Sequence, residues 1–211
     1  MRDVTEVTAH ALAQDTSREY AVALFLSRLF HPMLLGIASF FLIGLAGTDA
    51  WLSGLAWAAF GILVMVVPPT LFFVWRLRQG AYSDEDVSNR TQRYELYAFS
   101  LANLLVGAGL LWLLNAPPAF LALLASGAAV TLIAALVNLF WKISVHGSSA
   151  ASFATLALLY TPVFGVLAWL AALAVGWARV RTGNHTALQV LAGFVLAATS
   201  VVLMFRLFAL P

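Results

Sequence analysis

The sequence predicts an all-α fold, a polytopic transmembrane helical bundle with six to seven spans. Hydrophobic residues make up 63% of the chain and charged residues only 9%. The mean hydropathy is +0.94. Apolar runs close to the length of a membrane span recur along most of the chain. Lipid requires such segments to satisfy their own backbone hydrogen bonds, and a helix does so.

The domain organisation is simple, because a polar arm at residues 1–21 precedes one transmembrane domain at residues 22–211. The arm carries acidic residues and lacks the pattern of a cleavable signal peptide. The first span continues to about residue 47. Proline lacks the N–H that a helix interior uses, so Pro32 is expected to kink this span or to begin its membrane part.

The next three spans are separated by one long polar loop at residues 76–93 and by a short turn. They cover residues 51–75, 94–114 and 119–141. The adjacent Pro68 and Pro69 predict a kink in the first of these three. Asn103 and Asn138 lie within apolar sequence and are expected to form hydrogen bonds between helices.

The following apolar stretch, residues 147–177, has an ambiguous length. One span needs roughly 20 residues and two need roughly 40, so length alone does not decide between them. Thr161 precedes Pro162 near the middle, and a residue before proline disfavours helix. This favours two short spans joined by a tight turn. A last span covers residues 185–208.

With seven spans, three polar segments lie on one face of the membrane, which we call the motif face. They are residues 76–93, 142–146 and 179–185, and ten of the eleven Lys and Arg residues fall on or near this face. The positive-inside tendency places the motif face and the N-terminus in the cytoplasm, at the cell membrane. An anion-binding site would be basic on either side, so both orientations stay open.

The first polar motif, WKISVHGSSAAS, begins at Trp141, directly after a long apolar run. It places Lys142, Ser144 and His146 within five residues, at a predicted helix start. The free N–H groups and the dipole of a helix N-terminus favour anions. A cation, a hydroxyl and an imidazole beside such a terminus indicate a polar site and not a lipid-facing surface.

The second polar motif is ARVRTGNHTALQ. Gly183 and Asn184 indicate the end of one helix and the N-cap of the next. His185 is then expected to open a helix, with Gln189 one turn later on the same face. Arg179 precedes them at the end of the preceding span.

Together the two motifs bring two histidines, several cations and two helix N-termini to one face, a combination that suits phosphoryl transfer. Cations and N–H groups stabilise charge on the phosphoryl oxygens. One histidine can attack phosphorus while the other protonates the leaving oxygen.

The two motifs resemble those of the type-two phosphatidic acid phosphatase superfamily, which includes membrane lipid phosphatases and vanadium haloperoxidases. That family's second motif reads Pro-Ser-Gly-His, and this chain has Ile143-Ser144-Val145-His146. The family's third motif reads Ser-Arg, five residues, His, three residues, Asp. The corresponding positions here are Ala178-Arg179, His185 and Gln189. The resemblance covers residues 142–193 well, and it extends to the rest of the chain only in the overall architecture.

The resemblance implies a role for each matching residue. His185 would be the nucleophile that forms a phosphohistidine, and His146 the general acid. Ser144 and Arg179 would hold the phosphoryl oxygens. Gln189 would orient His185 in place of the usual aspartate. The phosphatase chemistry that the resemblance implies needs no metal and no cofactor.

The chain departs from the family in three respects. Gln189 cannot supply a negative charge, and the second motif lacks the proline and the glycine. The first motif, Lys, six residues, Arg-Pro, is absent as such. Its role could fall to Arg90 and Arg93, which are three residues apart and share a face if helical. Lys142 could supply a further phosphate-binding cation, and Asp86 could pair with Arg90 at i,i+4.

The sequence therefore predicts an integral membrane phosphatase that hydrolyses a lipid phosphate or isoprenoid diphosphate through a phosphohistidine. Two alternatives stay open: a lipid phosphotransferase using the same histidines, and a non-catalytic lipid-binding or transport protein on the same scaffold. The expected partners are a membrane lipid and the bilayer. A net charge of +2 without a Lys/Arg run argues against nucleic acid. A homo-oligomer is compatible with the sequence.

The chain has no cysteine, which removes thiolate chemistry and cysteine-based metal sites. Residues 84–86 are acidic, but without a second acidic cluster they predict no metal site.

Overall fold

The structure is a computed structural model that describes residues 4–211, with side chains from residue 17 onward. Within that part all regular structure is helical, so the predicted all-α class is confirmed. The helices are α1 Val4–Leu29, α2 Pro32–Ala46, α3 Trp51–Met65, α4 Val67–Arg78, α5 Tyr94–Leu113, α6 Pro118–Asn138, α7 Val145–Tyr160, α8 Pro162–Arg181 and α9 Ala187–Leu207. A short 3-10 turn, Arg90–Arg93, precedes α5.

Five helical stretches are long and apolar enough to cross a membrane. They are Trp51–Arg78, Arg90–Leu113, Pro118–Asn138, Pro162–Arg181 and Ala187–Leu207. A sixth candidate consists of Ser17–Leu29 and Pro32–Ala46, which meet at a 44° bend. The described chain thus has five to six candidate spans, and these identify an integral membrane protein. Helix α7, with 16 residues, is shorter than each of these five candidate spans.

The first predicted kink is confirmed at the junction of α1 and α2. Pro32 begins α2, and His31 acts as its N-cap by accepting a hydrogen bond from the Met33 N–H to Nδ1 at 3.2 Å. The predicted arm at residues 1–21 has no structural boundary at its end, because α1 runs through residue 21. Residues 1–3 of that arm lie outside the described part.

The second predicted kink is confirmed at Val66, which separates α3 from α4. Pro68 and Pro69 have no N–H to donate to the carbonyls of Val64 and Met65, four residues earlier. The Asn103 side chain fills this gap, because its Nδ2 donates to Val64 O at 3.3 Å and to Met65 O at 3.4 Å. The interhelical role predicted for Asn103 is therefore confirmed, and α5 holds the broken helix in place.

The long apolar stretch is divided at Thr161, as its proline predicts, into α7 and α8. Helices α7, α8 and α9 approach closely through small residues. A Cβ atom on Gly193 of α9 would lie 2.9 Å from Ser148 Oγ and 3.1 Å from Ser144 O of the neighbouring chain segment. This contact brings the starts of α7 and α9 together, and each start carries one of the two motifs.

The main hydrophobic core lies between α2, α5, α6 and α9. Its fully buried side chains include Ile43, Leu111, Phe120 and Phe205. A smaller cluster joins α2 to α7 and α8. Large apolar side chains on the outer helix faces are exposed, as expected of surfaces that contact lipid.

Candidate active site

The three polar segments predicted to share a face are in contact. Lys142 Nζ donates to Ser88 O at 3.2 Å, which joins the long loop to the first motif. The Ser144 N–H donates to Gln189 O at 3.3 Å, which joins the first motif to the second. Residues far apart in sequence therefore form one polar cluster at one end of the bundle.

His185 lies just before α9 and not inside it. The predicted N-cap, Asn184, is wrong, because Thr186 caps the helix instead. Thr186 Oγ1 accepts from the Gln189 N–H at 3.3 Å, and Gln189 Oε1 accepts from the Thr186 N–H at 3.2 Å. This capping box satisfies two helix-end donors at once, which a cap at Asn184 would not do. The predicted contact between His185 and Gln189 is nevertheless present.

The capping box also sets the tautomer of His185. Gln189 Oε1 already accepts from a backbone N–H, so it is the amide oxygen that faces His185 Nδ1, at 3.1 Å. An amide oxygen cannot donate, so Nδ1 must carry the proton. Nε2 of the neutral ring is then the nitrogen with a free lone pair. Gln189 thus leaves Nε2 as the unprotonated ring nitrogen without supplying charge.

His185 is held in its neutral form. Its ring is buried, with 7% of its surface exposed. Burial, together with the charges of Arg93 and Arg179, lowers the pKa of His185 to about 4. A neutral imidazole is the form that can attack an electrophile, so this environment suits a nucleophile at neutral pH.

Arg179 is buried at the end of α8, with 2% of its surface exposed, and pairs with Asp86. Its NH2 group lies 3.1 Å from Asp86 Oδ1. The other carboxylate oxygen, Oδ2, accepts from Asn184 Nδ2 at 2.8 Å. The expected pairing of Asp86 with Arg90 is therefore wrong. The loop holding Asp86 folds over the second motif, so the carboxylate meets a cation distant in sequence.

His146 faces Asp86 and a third histidine. Its Nδ1 atom lies 4.0 Å from Asp86 Oδ1. Its ring meets the ring of His31 edge to face, with centroids 5.5 Å apart. His31 sits at the break between α1 and α2, so a half-helix N-terminus also points to this cluster.

Ser144 caps α7, and its contact with phosphoryl oxygens stays a prediction. Its hydroxyl oxygen accepts from the Gly147 N–H at 3.2 Å and so caps α7. The residue is completely buried. The predicted helix start after Lys142 is confirmed, and Ser144 is used to form it.

Arg90 is placed at the end of α6. Its NH1 group donates to Asn138 O at 3.0 Å and also to Leu139 O. Asn138 Nδ2 donates back to Arg90 O at 2.8 Å, so the expected hydrogen bonding of Asn138 is confirmed. The Arg90 guanidinium satisfies carbonyls left without donors at a helix C-terminus, and it complements the helix dipole there. Arg90 is not part of the cavity lining described below, whereas Arg93 is.

Arg93 and Lys142 instead face the cluster. Arg93 is buried, and its guanidinium donates to Val87 O at 2.8 Å, to Asp86 O at 3.3 Å and to Ile143 O at 3.4 Å. Lys142 donates to a loop carbonyl, and burial with the Arg93 charge lowers its pKa. Arginine carries five N–H donors and lysine three, so both cations can keep these carbonyl contacts and still donate to an anion.

A cavity of about 700 Å³ opens beside this cluster, between α2, α4, α5, α6 and α7. His31, Asp86, Arg93 and His146 line it on the side of the motifs, whereas its other walls are mostly apolar. Of the described site residues, Arg179 and His185 lie next to this lining and are linked to it through Asp86 and Asn184. The cavity is thus amphipathic.

Three residues at the site were missed by the sequence reasoning. Asp86 was given a local partner, Asn184 a capping role, and His31 was not assigned to the site. The signal for Asp86 was its place in the only long polar loop, and that for His31 was its position before Pro32. Among the described residues, no three His, Cys, Asp or Glu side chains are grouped so as to hold a metal ion.

Comparisons with known proteins give no relatives for this chain. No protein-family model, no curated protein and no solved structure matches it. The site must therefore be interpreted from its own geometry.

Proposed function

We propose that this protein is an integral membrane phosphatase that hydrolyses a lipid phosphate or an isoprenoid diphosphate through a phosphohistidine. The observation that carries this proposal is the state of His185. Gln189 holds its Nδ1–H, its Nε2 is free, and its environment keeps the ring neutral. A neutral, oriented imidazole beside buried cations is suited to attack on phosphorus.

The cations supply the phosphate-binding part of the proposal. Arg93 and Lys142 rest on carbonyl oxygens, and Arg179 is close enough to influence His185. Phosphate oxygens form stronger, charge-assisted hydrogen bonds with such groups than carbonyls do. Ser144 supports the site indirectly by capping α7.

The reaction proceeds in two steps that balance. In the first, His185 Nε2 forms a bond to phosphorus as the bond from phosphorus to the leaving oxygen breaks, and His146 gives that oxygen a proton. In the second, water attacks phosphorus, the bond to His185 breaks, and His146 takes a proton from the water. Inorganic phosphate leaves, and both histidines return to their starting states.

The amphipathic cavity supports a lipid as the substrate. Its charged lining would accept the phosphate, whereas the apolar walls, including Phe40, Met65 and Leu124, would contact a hydrocarbon tail. Burial of that tail supplies binding energy in proportion to the apolar area removed from water.

A second candidate, a non-catalytic lipid-binding or transport protein, has its own supporting observation. Asp86 neutralises Arg179, and Gln189 provides His185 with no negative charge. Such a protein would bind the phosphate headgroup in the same cavity and release no phosphate. A lipid phosphotransferase would use the same histidines with an alcohol replacing water in the second step.

The proposed topology has seven membrane passages, with α7 as a short passage enclosed by its neighbours. The motif face and the N-terminus then lie in the cytoplasm of a cell membrane, and the C-terminus lies outside. A reporter fused after Pro211 tests this, because six passages would return the C-terminus to the cytoplasm.

The test of function is phosphate release by the purified protein from phosphatidic acid and from an isoprenoid diphosphate. The variants are His185→Ala and His146→Ala, each checked for folding by size-exclusion chromatography. Arg78→Ala is the matched control, because Arg78 is an exposed cation of the motif face outside the cavity lining.

The proposal expects release by wild type and by Arg78→Ala, loss to background in His185→Ala, and a loss of ~10²-fold to ~10⁴-fold in His146→Ala. A phosphorylated alcohol that forms when an alcohol acceptor is added, without release of inorganic phosphate, would identify the transferase. Well-folded wild type that binds these lipids and releases no phosphate would identify the binding protein.

A further inference from the structure

Asp86 contacts a residue of each motif and of the segment that joins α8 to α9. Its Oδ1 lies 3.1 Å from Arg179 NH2 and 4.0 Å from His146 Nδ1. Its Oδ2 accepts from Asn184 Nδ2 at 2.8 Å, and Asn184 is the direct neighbour of His185. A single carboxylate is therefore placed against both the cation and the second histidine of the proposed reaction.

The loop is braced to hold this carboxylate in position. Arg93 donates to the carbonyls of Asp86 and Val87, and Lys142 donates to the carbonyl of Ser88. Val87 has a φ of 46° and is buried, although a β-branched residue rarely adopts this conformation. Such strain persists only where the surrounding contacts enforce it. The loop geometry is thus set by contacts with the site.

We propose that Asp86 is a positioning residue that acts through His146 and Arg179. It supplies a carboxylate to His146, whereas Gln189 supplies none to His185. This inference rests on the proposed phosphatase function and extends it by one residue.

The physical reason concerns the charge of His146 during the reaction. A general acid must carry a proton, and a nearby carboxylate favours the charged imidazolium. Burial, Arg179 and Arg93 disfavour that charge, as do the neighbouring His31 and His185, and Asp86 is the carboxylate that lies against His146. Because Asp86 lies on the Nδ1 side of the ring, the other ring nitrogen, Nε2, stays available to a leaving oxygen, and His146 itself lines the cavity. Catalytic contacts of this kind often tighten only when substrate binds.

The test uses the dependence of rate on the leaving group. Phosphatidic acid loses an alkoxide, which needs the proton, whereas p-nitrophenyl phosphate loses a phenolate that is stable without one. Asp86→Asn is compared with wild type on both substrates. Asp49→Asn is the matched control, because Asp49 is an exposed acid outside the cavity lining and the substitution removes the same charge.

We expect Asp86→Asn to lower kcat on phosphatidic acid by ~10²-fold with little change in KM, and to lower kcat on p-nitrophenyl phosphate by less than about threefold. His146→Ala should show the same pattern, and Asp86→Glu should recover part of the lost rate. Asp49→Asn should behave as wild type. If wild type hydrolyses only the lipid, a lower kcat in Asp86→Asn at unchanged KM supports the positioning role, and an unchanged kcat overturns it.

Equal losses on both substrates, or a rise in activity in Asp86→Asn, would overturn the positioning role while leaving the phosphatase intact. A rise would instead mean that the carboxylate competes with substrate for Arg179. Wild type without activity on either substrate or on an isoprenoid diphosphate would overturn the proposed function itself, so the two failures are distinct.

Discussion

The Nδ1 atom of His185 lies 3.1 Å from Oε1 of Gln189, the position at which the resembled phosphatases carry an aspartate. The same oxygen accepts from the Thr186 N–H and so belongs to the capping box of α9. The Gln189 side chain therefore helps to cap the start of α9 and also sets the tautomer of His185, the proposed nucleophile. What it lacks, relative to aspartate, is charge.

Restoring that charge should change the pH dependence of catalysis. Gln189→Glu keeps the side-chain length and the capping box, and it places a carboxylate against the His185 ring. An opposite charge at this distance is expected to raise the pKa of His185 by roughly one to three units. The acid limb of the kcat/KM profile for phosphate release should move to higher pH by the same amount. An unmoved limb would show that His185 is not the group titrating there.

His185 should also make stability depend on pH. Its pKa is lowered from 6.5 to about 4 in the folded protein, so the unfolded chain binds more protons between these values. The stability that depends on a neutral His185 is fully present above pH 6.5 and declines as the pH falls toward 4. Wild type should lose thermal stability between about pH 7 and about pH 5, and His185→Ala should lose less. Equal losses in both proteins would contradict the buried, neutral state of this ring.

The capping role of Ser144 predicts a stability effect without a binding effect. Ser144→Ala should lower the free energy of unfolding by about 1 kcal/mol and leave KM for the lipid phosphate unchanged, because the hydroxyl caps α7. Ser144→Gly should cost only a few tenths of a kcal/mol. A large rise in KM in Ser144→Ala at preserved stability would instead support direct phosphate contact.

Substitutions of Arg90 and Arg93 should also differ in whether they lower stability or raise KM, although the two residues are only three apart in sequence. Arg90→Ala removes hydrogen bonds to the end of α6 and is expected to cost up to about 1 kcal/mol of stability, with KM unchanged. Arg93→Ala removes a buried cation that lines the cavity and should raise KM for the lipid phosphate by about tenfold or more. Steady-state kinetics and thermal unfolding of both variants decide. A higher KM in Arg90→Ala alone would reverse the assignment.

Much of the fold could be predicted because its signals are local. Pro32, Pro68 with Pro69, and Pro162 mark three of the breaks between the described helices, since a missing N–H acts on the carbonyl four residues earlier. Helical spacing predicts the contact of His185 with Gln189, although His185 lies just before α9 and the Gln189 side chain reaches back to it. The exact cap did not follow, because Asn184 and Thr186 are both good cap residues and only the reciprocal contact with Gln189 favours Thr186.

The partner of Asp86 could not be predicted, for a physical reason. Its loop has no periodicity, and its carboxylate meets Arg179 only because α4 and α8 end at the same face. Local spacing favoured Arg90, but that guanidinium satisfies the carbonyls at the end of α6, a demand that becomes visible only in the folded chain. The same holds for His31, which meets His146 across the break in the first span.

The central claim is that His185 becomes phosphorylated during turnover, and trapping that intermediate tests it most directly. The purified protein would be mixed with phosphatidic acid labelled at phosphorus, quenched in alkali, and mapped by mass spectrometry. The account predicts a phosphoramidate on His185, stable in alkali and lost in acid, present in wild type and absent from His185→Ala. Phosphate release at the wild-type rate without any label on His185, or with release preserved in His185→Ala, would contradict it.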